Sequence, residues 1–81
     1  MYSTKIRLHT IEEMNIFQND LKLFQSQIDA NIGNYGVDAH SLLGLMYISS
    51  LNKTIIVTIN EICPKELENF KNIVKKYEVM E

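Results

Sequence analysis

The chain of 81 residues has no tryptophan, one proline, three glycines and a single cysteine. One thiol cannot close an internal disulfide, so Cys63 fits a reducing compartment and the core must hold the fold alone. No repeat, linker or low-complexity tract interrupts the sequence. No apolar run approaches the ~20 residues of a membrane-spanning helix. The opening Met1-Tyr2-Ser3-Thr4-Lys5-Ile6-Arg7 lacks the apolar stretch of a secretory leader. A formal net charge of −2 gives no electrostatic reason to expect a nucleic-acid partner. What remains is one small cytoplasmic domain, with no membrane partner expected. Its 46% hydrophobic content is enough for a globular core and argues against disorder.

The apolar residues change period along the chain. Tyr2, Thr4, Ile6 and Leu8 alternate with polar neighbours, as in a half-buried strand. Thr10-Ile11-Glu12-Glu13 then has the form of a capping box, with Thr10 as N-cap and Glu13 reaching back. Ile11, Met14, Phe17, Leu21 and Phe24 follow at helical spacing and predict a helix from Ile11 to about Gln25. Alternation returns at Ile28, Ala30 and Ile32, and Gly33-Asn34 supplies a tight turn into a short strand, Tyr35 to Asp38. Leu42 to Tyr47 is a brief helix, and the β-branched run Thr54 to Ile59 is the strongest strand signal. Pro64 stands where the first residue of a last helix belongs, and Leu67, Phe70, Ile73, Val74 and Tyr77 make its apolar stripe. The remaining charges there, Lys65, Glu66, Glu68, Lys71, Lys75, Lys76 and Glu78, read as a solvated face. The order βαββαβα, with helices apolar on one side, predicts an α+β domain whose antiparallel sheet is covered on one face.

The segment Val37-Asp38-Ala39-His40-Ser41 followed by Leu42-Leu43-Gly44-Leu45-Met46 draws together a hydroxyl, a helix start and a very apolar short helix. Ser41 is placed to cap that helix, accepting from the amide of Leu43 or Gly44. So short a helix cannot bury every side, so some of Leu42, Leu43, Leu45 and Met46 should be exposed for docking, and Met suits an adaptable interface. Gly44 permits close approach of another backbone. Cys63, His9 and His40 have no ligand spacing, so no metal site is expected, and no cofactor motif is present.

The same segment resembles the regulatory-serine region of the HPr family, the small phosphocarriers of bacterial sugar phosphotransferase systems. Members carry Val-Asn-Ala-Lys-Ser followed by Ile-Met-Gly-Ile-Met or close variants there. Element order and length are similar to HPr over the whole chain. The resemblance implies an open-faced sandwich: a four-stranded antiparallel sheet in the order 1-4-2-3 with three helices on one face. It also implies an ATP-dependent phosphorylation site at Ser41, and partner docking through Leu42, Leu43, Leu45 and Met46 together with the edge near Thr10.

The family's carrier motif, Gly-Leu-His-Ala-Arg-Pro-Ala, is not matched. Counting back from Ser41, the His slot falls on Thr10, the Arg slot on Glu12 and the Pro slot on Glu13. His9 reaches the His slot only through a one-residue shift. A phosphohistidine at this helix start would face Glu12 and Glu13. A unit charge pair at ~5 Å costs on the order of 1–3 kcal/mol at a protein surface, against roughly 0.3–1 kcal/mol of attraction from the helix end. Repulsion wins. The expectation is an HPr-like regulatory or adaptor protein that has lost the carrier activity and works through protein partners. The alternatives are a working phosphocarrier using His9, and an unphosphorylated scaffold domain.

Overall fold

A computed structural model of the chain describes residues 1–51 and 53–79. The elements run β1 (Tyr2–Ile6), α1 (Ile11–Leu21), β2 (Gln27–Ile32), β3 (Tyr35–Asp38), α2 (Leu42–Ser50), β4 (Ile55–Asn60) and α3 (Pro64–Val74). The strands form one antiparallel sheet in the order β1-β4-β2-β3, the α+β architecture expected from the sequence. β4 lies inside the sheet, which is where the most β-branched strand gains most from burial. Its Ile55, Val57 and Ile59 point inward while Ile56, Thr58 and Asn60 point away.

The inward faces of all four strands meet one stripe from each helix. Ile6, Ile28, Ala30, Val57 and Ile59 pack in one cluster with Phe17 and Leu21 of α1, Leu45 and Ile48 of α2, and Phe70 and Val74 of α3. The opposite face carries Ser3, Lys5, Gln27, Asp29, Asn31 and Thr58, so the sandwich is open on that side. Among the described residues no helix is long and apolar enough to cross a membrane.

Two helix ends differ from expectation. α1 stops at Leu21 and not near Gln25, because the backbone tightens there: the Lys22 amide donates to Asn19 and the Phe24 amide to Leu21. Phe24 keeps its helical spacing in sequence yet packs on the core from the turn beyond. α2 runs on past Tyr47 to Ser50, because Ile48 continues its buried side. At the hairpin Gly33 has φ +58°, a left-handed conformation that costs a side chain strain.

Candidate docking site at the first and second helices

Both serine/threonine caps form. The Thr10 hydroxyl accepts from the Glu13 amide at 3.0 Å and starts α1. Glu13 does reach back, but its Oε1 accepts from the His9 amide at 2.7 Å, one residue earlier than the expected box. His9 is thus outside the helix, exposed, with its backbone already held. The first turn of α1 carries Glu12 and Glu13 at the positive end of the helix. Ser41 likewise starts α2, its hydroxyl accepting from the Gly44 amide at 3.1 Å. Of the two amides considered for this cap, Gly44 is the donor.

The two helices pack with opposed directions. Near the start of α1, Leu8, His9, Ile11 and Met14 face Met46, Ser49 and Ser50 from the end of α2 across a groove of about 340 Å³. At the other end Gln18 Nε2 donates to the His40 carbonyl at 3.1 Å. Gly44 allows the close contact with β3, since a Cβ there would stand 3.0 Å from Val37 Cβ.

The apolar residues of α2 divide by direction. Leu43 is 79% exposed and Tyr47 50% exposed, whereas Leu42 and Met46 are half-buried. Leu45 is fully buried and belongs to the core, a correction to its place in the expected docking patch. With Leu45 and Ile48 directed into the sheet, the 100° step per residue turns Leu43 outward. Tyr47 lies against Tyr35 of β3, ring centroids 5.3 Å apart, and Tyr35 is also exposed. α2 carries no charged residue along its length, so these groups form an uncharged ridge. Ile11, placed by spacing in the buried stripe of α1, is instead 57% exposed at the lip of the groove. It is the first residue of the helix and faces the open groove rather than the sheet.

One polar knot was not foreseen. Glu66, read from the sequence as part of a solvated face, accepts from the Gln25 amide at 3.1 Å, the Ser26 amide at 3.0 Å and the Ser26 hydroxyl. The buried Ser26 hydroxyl in turn accepts from the Ile62 amide at 3.0 Å. The Ser26 hydroxyl, then the Gln25 amide, hold the Glu66 carboxyl below its ordinary value. The knot joins the entry of β2 to the first turn of α3 and lies away from the groove. Among the described residues no group of His, Cys, Asp or Glu could hold a metal ion, and Cys63 is an exposed free thiol.

No family model matches the chain, and neither a curated protein nor a solved structure matches it.

Proposed function

We propose that this chain is a cytoplasmic protein-docking module of HPr-like kind, a regulatory or adaptor protein related to the sugar phosphotransferase system that does not relay phosphate. The observation that carries this reading is the start of α1. Thr10 holds the N-cap, Glu12 and Glu13 occupy the first turn, and the amides of His9 and Glu13 already have acceptors within the chain. A phosphoryl group there would meet two carboxylates and find those two donors taken. The strand order and the three helices on one face support the kinship, and the exposed Leu43 and Tyr47 on α2 support docking. Leu42 and Met46, half-buried, lie on the same helix, and Thr10 caps the neighbouring α1.

A carrier using His9 is the second reading, favoured by the exposure of His9 at the mouth of the groove. Incubation with enzyme I and radiolabelled phosphoenolpyruvate, then with ATP and an HPr kinase, separates them by the acid stability of any label. The docking reading expects no acid-labile phosphate. Acid-labile label that disappears in His9→Ala overturns it. Acid-stable label lost in Ser41→Ala adds a serine switch to the docking module.

A further inference from the structure

His40 joins three elements through one side chain. Its Nε2 lies 3.0 Å from the carbonyl oxygen of Leu21, and its Nδ1 lies 3.2 Å from Asp38 Oδ1. Leu21 ends α1, so that carbonyl belongs to the negative end of the helix. Asp38 ends β3 and also accepts from the His40 amide at 2.8 Å. Neither a carbonyl nor a carboxylate has a hydrogen to give. A neutral imidazole has one N–H and can satisfy only one of the two; the imidazolium donates to both. The ring is partly buried, 29% exposed, while the Asp38 carboxylate it faces is 66% exposed.

Charged groups of both signs stand around the ring. Asp38 faces the ring from its own loop. Glu66 acts on it from the first turn of α3; its carboxyl is held ionised chiefly by the Ser26 hydroxyl, with His40 a lesser cause. Lys22, the opposing charge beside Leu21, is exposed to solvent. The ring stands one residue before Ser41, the N-cap of α2.

We propose that His40 is a proton-controlled latch, in which the imidazolium ties the end of α1 and the exit of β3 to the start of α2. Loss of the proton releases one of the two ties. Imidazole as a side-chain type changes charge within the physiological range; the latch is closed while the ring holds its second proton and loosens when that proton leaves. The device belongs to the fold and stands whether or not the α2 surface docks a partner.

The test uses the full chain carrying His9→Gln, which leaves His40 as the sole histidine. Amide hydrogen exchange reads the Leu45 amide, bonded to the Ser41 carbonyl at 3.0 Å, against an amide in the middle of α3. From pH 5.5 to 8.0 the relative protection of Leu45 should fall by about three- to tenfold, the loss of one hydrogen bond at a solvent-exposed site. It should stay flat in His40→Gln, which keeps one donor but does not titrate. Nitrogen-15 spectra of the ring should show both nitrogens protonated at pH 5.5. Equal pH dependence with and without His40, or a ring singly protonated at pH 5.5, overturns the latch. Should His40→Gln fail to fold, Asp38→Asn serves: a fall in protection as large as that of the parent overturns the proposal equally.

Discussion

Leu43 and Leu45 stand two residues apart on α2 and make opposite predictions. Leu45 is fully buried in the cluster that unites the three helices with the sheet, whereas Leu43 is 79% exposed. Truncating Leu45 to Ala removes three carbons from the core, roughly 2.4 kcal/mol at ~0.8 kcal/mol per buried methylene. The cavity left behind raises the cost to about 2–5 kcal/mol. A domain of this size has a total stability on the order of 4–12 kcal/mol, so Leu45→Ala should lose a large share of it and lower Tm by about 10 °C or more. Leu43→Ala should stay within ~0.5 kcal/mol of the parent. Urea unfolding followed by far-ultraviolet circular dichroism measures both, with an unchanged slope confirming that only stability moved. A cost above ~1.5 kcal/mol for Leu43→Ala, or below ~1 kcal/mol for Leu45→Ala, refutes the assignment of one residue to the surface and the other to the core.

Four further outcomes are expected. Ser26→Ala should cost about 1–3 kcal/mol in urea unfolding, since the Ile62 amide loses its acceptor and the Glu66 carboxylate one of its three donors. Because the Glu66 carboxyl lies below its ordinary value of 4.5, the ionised form is the one the fold favours. Its stabilisation is therefore present above that value and lost as pH falls through the lowered one. The difference in urea midpoint between the parent and Glu66→Gln should accordingly be clear at pH 7 and shrink toward pH 3; a gap that widens in acid contradicts the knot. Thr10→Ala should cost about 0.5–2 kcal/mol through loss of the α1 cap, and Thr10→Ser should recover most of it. Gly44→Ala should destabilise despite a helix-propensity gain of about 1 kcal/mol, because its Cβ would meet Val37 Cβ at 3.0 Å and Cγ2 at 3.3 Å; a rise in Tm sinks that reasoning.

The fold was legible wherever one period replaced another. Alternation at Tyr2–Leu8 and Ile28–Ile32, the Thr10 cap and Pro64 marked element starts, because strand faces and helix caps are local in sequence. Element ends were less legible. Phe24 continues the helical spacing of α1 but reaches the core after the helix has closed, so spacing alone overran the end by several residues. The direction of α2 could not be read at all. Leu42, Leu43, Leu45, Met46 and Ile48 are all apolar, and only their docking on the sheet decides that Leu45 and Ile48 go inward while Leu43 faces out. The Ser26–Glu66 knot spans 40 residues of chain, and no local pattern announces it. The latch at His40 is of the same kind: Asp38 is near in sequence, but the Leu21 carbonyl is brought by the packing of α1 against α2.

The most direct test of docking through α2 places a photo-crosslinking amino acid at position 43 in the cell where the protein is naturally made. Position 23 serves as control, since Leu23 is 92% exposed in the turn after α1 and lies off the ridge. Docking through α2 gives a discrete cross-linked complex with another protein from position 43 and none from position 23. A complex formed from position 23 alone, or none from position 43, contradicts it.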